Sequence, residues 1–143
     1  IILPTGDGMA LVFFNSVHAA FQCAVDVGKK TYKHPQIGLR NGVYSGPVVP
    51  VKDINDNPNV SGSGINMAQR CMDAGDNDHI LISNGVHQYV NQMDIPGLKF
   101  DDWGPVIVKH GSTVHMWTAY GSNFGRTEFP HWRGTKKAEF KTE

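Results

Sequence analysis

Asn66 and Arg70 stand four residues apart in the stretch 59–73, NVSGSGINMAQRCMD. Residues at that spacing share one face of a helix, so the amide and the guanidinium point the same way. An amide beside an Arg fork suits a sugar and a phosphate. Gly62 and Gly64 precede this pair. Glycines at a helix start let the backbone approach a ligand closely, and the N–H groups there favour anions. A second chemical signal is Asp7, held in Gly6-Asp7-Gly8. A carboxylate at a loop tip is where Mg²⁺ bound to phosphates finds its protein oxygens. Each signal also has a plainer reading. Asn66 and Arg70 could be a solvent-facing pair on an ordinary helix, and Asp7 could serve only as a turn-former. Asp53, Asn55 and Asn57 have the spacing of a calcium loop's first ligands, but Pro58 replaces the required Gly and Gly64 the closing Glu, which excludes that site.

The elements that must position these residues can be read in order. Ile1 to Leu3 and Met9 to Phe14 are expected as strands flanking the Gly-Asp-Gly turn. Asn15 or Ser16 can cap a helix with the apolar stripe Val17, Ala20, Phe21, Ala24, Val25 and Gly28. Ile37 to Tyr44 and Val48 to Val51 follow as strands, with Lys52 to Pro58 as a polar loop. After the helix that carries Asn66, Ile80 to Ser83 reads as a buried strand, and Asn84 can cap a short helix. Leu98 to Asp102 leads to Gly104, and Val106 to His110 and Thr113 to Tyr120 are expected to form a final hairpin. Hairpins mixed with crossover helices argue for an α+β domain with one mainly antiparallel sheet, its helices packed on one face. From Gly121 onward periodicity disappears, so residues 1–120 are expected as the domain and 121–143 as a tail or linker that Phe124, Phe129 and Trp132 could pin.

Composition narrows the function classes. The chain has 143 residues, enough for one domain with a real core. Thirteen basic and thirteen acidic residues cancel, which leaves no basic footprint for nucleic acid. Its longest apolar run, Met9 to Phe14, is too short to span a bilayer, and no signal segment opens the chain. Cys23 and Cys71 lack metal or redox spacing, as expected of reduced thiols in a cytoplasm. Because Ile1 already lies in an apolar strand, the chain reads as a piece of a longer one.

The ordered set TGDGMALVF, LRNGVYSGPV, VSGSGINMAQR, HILIS and VKHG resembles the class III adenylate/guanylate cyclase catalytic domain, from about Ile1 to Tyr120. Each block alone is weak, and the five in order are specific. The resemblance implies a ferredoxin-like palm domain acting as a head-to-tail homodimer with active sites between protomers. It implies attack of the ribose 3′-oxygen on the α-phosphate, which yields a 3′,5′-cyclic nucleotide and pyrophosphate. ATP is the expected substrate and GTP the other candidate. Two Mg²⁺ or Mn²⁺ ions would be held by two carboxylates. Carried over by position, Asp7 matches the second metal carboxylate, Asn66 the Asn that orients the ribose, and Arg70 the Arg on the transition-state phosphate. Gly62 falls in the nucleotide-binding turn and Lys109 near a phosphate-binding Lys.

Departures from the pattern temper this. The strand with the first metal carboxylate is expected upstream of Ile1. The two base-reading positions are Leu3 and Asn59. Leu3 offers shape and no hydrogen bond, while the Asn59 amide could be turned either way. A second hypothesis therefore stands beside the enzyme, that of a cyclase-like module that only binds nucleotide or dimerises and regulates an attached domain.

Overall fold

A computed structural model describes residues 1–5, 8–108 and 111–130. The chain begins with a hairpin, β1 (Ile2–Thr5) and β2 (Gly8–Leu11), whose register pairs Ile2 with Leu11 and Thr5 with Gly8. Helix α1 (Val17–Thr31) follows, and Ser16 caps it by accepting from the Ala19 N–H at 3.0 Å. Its stripe buries Phe21, Ala24, Val25 and Gly28, as the apolar spacing requires. Strand β3 (Asn41–Val43) leads to a second hairpin, β4 (Val49–Lys52) and β5 (Pro58–Ser61). Helix α2 (Ser63–Asp73), strand β6 (Ile80–Ser83) and helix α3 (Asn84–Val90) come next. The long pair β7 (Lys99–Ile107) and β8 (Thr113–Gly121) is extended by β9 (Phe124–Gly125).

Five of these strands form the main sheet. Its order is β3-β6-β8-β7, with β9 also on β8, and only the β3–β6 pair is parallel. The fold is therefore α+β with a mainly antiparallel sheet. Coverage of one face by the helices does not hold, however. Ile80 and Ile82 point into a cluster with Phe21, Val25, Val86, Val90 and Phe124, under α1 and α3. Leu81 points the other way, into Cys71, Ala74, Trp103, Val106 and Met116 beside α2. Alternation along a strand buried on both faces forces this division, and the unbroken apolar run Ile80-Leu81-Ile82 is its signature. Each such side chain contributes about 1.5–3 kcal/mol on leaving water.

Several local expectations change. Ser83, not Asn84, caps α3, since β6 runs straight into the helix with Ser83 still extended and its Oγ accepting from Val86 N at 3.3 Å. Asn84 instead accepts from Trp117 Nε1–H at 2.9 Å. The segments around Leu98 and Val106 are one strand. A bulge between Asp102 and Gly104 breaks their alternation, with Gly104 at φ +70° and its N–H given to Asp102 Oδ1 at 2.7 Å. Lys52 and Pro58, expected in a polar loop, instead end β4 and begin β5. The compact unit also continues beyond Tyr120, where β9 pairs with β8 and Phe124 is fully buried in the core. Trp132 lies outside the described residues.

Two edges of this architecture bear on the site. The β1–β2 hairpin pairs only with itself among the described residues, and Ile2, Met9, Leu11, Phe13 and Phe14 around it are exposed. The β3 strand pairs only with β6 among them. None of the helices among the described residues is long and apolar enough to cross a membrane.

Candidate active site

Helix α2 begins without a side-chain cap, because its N-cap residue is Gly62. At φ +131° Gly62 adopts a backbone that other residues rarely accept, and a Cβ there would strike the Pro47 carbonyl. The same carbonyl accepts the Gly64 N–H at 3.0 Å. Thus the loop between β3 and β4 supplies the missing cap, and one of the first-turn donors is spent within the protein. Close packing of the chain against itself accounts for glycine at position 62.

The floor of the helix is set by Gly42 in β3. A Cβ at Gly42 would meet Ala68 O at 2.6 Å and also Met72 N, so the strand and helix approach backbone to backbone. Cys71 anchors the buried side; burial pushes its thiol up to about 12, which makes it a packing residue and an unreactive one. At the far end Asp73 pairs with Arg40 Nη2 at 3.8 Å and accepts from Gln69 Nε2 at 3.1 Å. Held in this way, α2 presents Asn66 exposed and Arg70 half-buried on one face.

Arg70 Nη1 donates to Met67 Sδ at 3.4 Å, and a thioether is a weak acceptor. Among the described residues Arg70 has no carboxylate partner. The guanidinium therefore keeps most of its capacity for an anionic ligand. Met67 is a contact that sequence reasoning does not single out, although its spacing to Arg70 places both on one face.

The other candidates sit on different elements. Asn59 lies in β5, just ahead of α2, and its Oδ1 accepts from Val60 N at 2.8 Å. The amide is thus oriented with its NH₂ as the remaining group. Leu3 is half-buried in β1, opposite Ala10. The run from β5 into α2 brings Asn59, Gly62, Asn66 and Arg70 along one continuous segment, while Leu3 belongs to a hairpin that no other described strand pairs with. Asp7 and Lys109 lie outside the described residues. Asp53 closes its own turn. Its Oδ1 accepts from Asn55 N and Asn57 N at 2.8 and 2.9 Å, and these bonds lower its pKa.

No group of three or more His, Cys, Asp or Glu side chains among the described residues could hold a metal ion. They do not by themselves fit a metal pair. Asp7 is the sole carboxylate for which the sequence implies that role.

No protein-family model matches the chain. A curated relative named "Putative adenylate cyclase 3", from Rhizobium meliloti (strain 1021), is 34% identical over 122 residues, covering 80% of this chain and 19% of the relative. The chain thus spans about a fifth of that protein's length. In fold, the chain is similar to the guanylate cyclase domain of RhGC from Catenaria anguillulae, solved in complex with GTP. The TM-score is 0.66 at 19% identity, over 84% of this chain and 71% of that one. In sequence the chain is similar to a putative adenylate cyclase and in fold to a guanylate cyclase domain, and the two likenesses support the resemblance to a class III adenylate/guanylate cyclase catalytic domain.

Proposed function

We propose that the chain contributes to converting ATP or GTP into a 3′,5′-cyclic nucleotide and pyrophosphate. One observation carries this reading: α2 presents Asn66 and Arg70 on a common face, with the guanidinium free of any carboxylate among the described residues. The name of the bacterial relative and the GTP held by the fungal domain support a nucleotide as substrate. Asn66 would fix the ribose so that its 3′-oxygen lies in line with the α-phosphate. Arg70 would take up the charge that builds on the phosphate oxygens. Lys109 would add a phosphate contact, and Gly62, whose backbone is set by its packing on Pro47, would direct the start of α2 toward the nucleotide. Asp7, with a second carboxylate from outside this chain, is proposed to hold Mg²⁺ or Mn²⁺, which would neutralise phosphate charge when bound. A cytoplasmic setting accords with the two free thiols.

The reading requires a homodimer, in which Asp7 and the Asn66–Arg70 pair face each other from opposite protomers. The exposed Val49, Val51 and Ile54 on the β4–β5 hairpin supply apolar surface for such a contact. Sedimentation with nucleotide and Mn²⁺ should show a dimer; a persistent monomer would count heavily against the shared site. Partner domains that regulate the site are proposed beyond the chain.

Purine choice should be weak. Leu3 offers no hydrogen bond, and the Asn59 NH₂ can serve the adenine N1 or the guanine O6 equally. Shape alone discriminates by roughly 10²-fold, against about 10⁴-fold or more for a paired polar edge. Competition between ATP and GTP measures this, and a preference near the higher figure would overturn the assignment of Leu3 and Asn59. A second reading, a nucleotide-binding or dimerising module without turnover, is favoured by Leu3, which offers no hydrogen bond at a base-reading position. Assay for cyclic product separates the two.

A further inference from the structure

We propose that His79 is a proton-operated latch, fastening the segment 126–130 to the turn that leaves α2. The latch stands on geometry independent of the cyclase reading. The imidazole is completely buried. Its Nδ1 accepts the Asp76 N–H at 2.7 Å, and its Nε2–H donates to the Glu128 carbonyl at 2.6 Å. With one nitrogen accepting and the other donating, the ring must be neutral and in a single tautomer. Around it the segment is held by further contacts. Thr118 Oγ1–H donates to the Arg126 carbonyl at 2.8 Å, and Arg126 Nη1 donates to Asn77 O at 3.3 Å. Trp103 meets the imidazole edge-on at 5.3 Å, and Phe129 packs on Trp103 at the same centroid distance. The turn is built closely around the ring, since a Cβ at Gly75 would come within 2.9 Å of His79 Cβ.

A proton on Nδ1 would face the Asp76 N–H with a second donor and would leave a charge in a dry site. The bond to Glu128 favours the charged ring but does not offset its burial, so protonation favours lifting of the segment that covers it. The charged groups facing His79 are Asp76, which favours protonation, and Arg126, which opposes it. The Glu128 carboxylate is turned to Arg126 Nη2 at 3.7 Å, and Asp78 Oδ2 accepts from Lys33 N. Burial is the largest influence and holds the ring's pKa below 6.5, outweighing the bond to Glu128. In the opened segment the imidazole regains its ordinary value. The open state therefore binds more protons, and closure is complete above about pH 6.5 and lost progressively as pH falls below it. Asp76 lies just past the end of α2, so opening also frees the exit turn of the helix that carries Asn66 and Arg70.

Amide exchange of the full 143-residue chain between about pH 7.5 and 5, corrected for intrinsic rates, tests this. Protection in residues 126–130 and in the 74–79 turn should fall by up to about tenfold per pH unit below 6.5, while β6 and β8 keep theirs. His79→Gln retains an amide donor toward Glu128 and cannot titrate, so its protection there should not depend on pH. Wild-type protection that stays level, or that falls in step with β6 and β8, would overturn the latch. If His79→Gln does not fold, the NMR titration of the wild-type ring decides. A midpoint below 6.5 that tracks exchange of the segment supports the latch, and an ordinary midpoint with the segment unchanged refutes it.

Discussion

Arg70→Ala, made in a cyclase-competent form of the domain, should lower kcat by about 10²–10³-fold with a smaller change in KM. The proposed transition state gathers negative charge on the α-phosphate oxygens, and a fixed guanidinium stabilises that charge more than it stabilises bound substrate. Helix α2 does the fixing, held backbone to backbone on Gly42 and anchored in the core by its own buried Cys71. The only polar contact of Arg70 among the described residues is the weak one to Met67 Sδ at 3.4 Å. Truncation therefore leaves no buried carboxylate unpaired, and the cost in stability should stay within about 1 kcal/mol. A kinetic loss without a stability loss is the signature sought. Arg70→Lys should recover little, because an ammonium cannot present the planar fork. Asn66→Ala should act similarly through loss of ribose orientation. Near-normal turnover in both alanine variants would refute their roles.

The parts of the molecule legible from sequence are those set by local periodicity. The stripe of α1 and the run ILIS predict what Phe21, Val25, Ile80 and Ile82 do. Asn66 and Arg70 share a face for the same local reason. The rest depends on partners distant along the chain. Strand β5 is hidden in the sequence because Val60 is its one buried residue, so no alternation is visible. The bulge at Asp102 interrupts the alternation of β7, so only its second half reads as a strand. Placement of α2 on the face opposite α1 and α3 rests on Gly42, whose lack of a side chain acquires meaning only beside Ala68 and Met72. His79 looks like any polar turn residue, and its partner carbonyl belongs to Glu128, in a stretch whose lost periodicity suggests a tail. Leu3 and Asn59 are expected to share one purine pocket. They lie in separate two-stranded sheets, whose mutual placement no pattern of spacing encodes.

The 143-residue chain alone should bind ATP or GTP with Mg²⁺ or Mn²⁺ and yet form no measurable cyclic nucleotide. The proposed chemistry asks for two ions bridged by two carboxylates, and Asp7 is the sole carboxylate at a matching position. Asp53 is no substitute, since its Oδ1 already closes the β4–β5 turn. A single carboxylate with the triphosphate can still hold one Mg²⁺, which keeps several waters and needs few protein oxygens. The fold gives a second reason. The hairpin carrying Leu3 pairs only with itself among the described residues, and β3 has one neighbour there, so no described strand ties that hairpin to the sheet that positions α2. Ile2, Met9, Leu11, Phe13 and Phe14 are exposed on and around that hairpin, which should make the isolated chain prone to association through this edge. The measurement is release of pyrophosphate and cyclic product from the purified chain, compared with the same chain carrying an N-terminal apolar strand with an Asp. Turnover in the longer form alone supports the two-carboxylate requirement. Turnover in the short form that vanishes in Asp7→Ala would show that the second carboxylate is already present, and binding of nucleotide by both forms without turnover in either would favour the non-catalytic module.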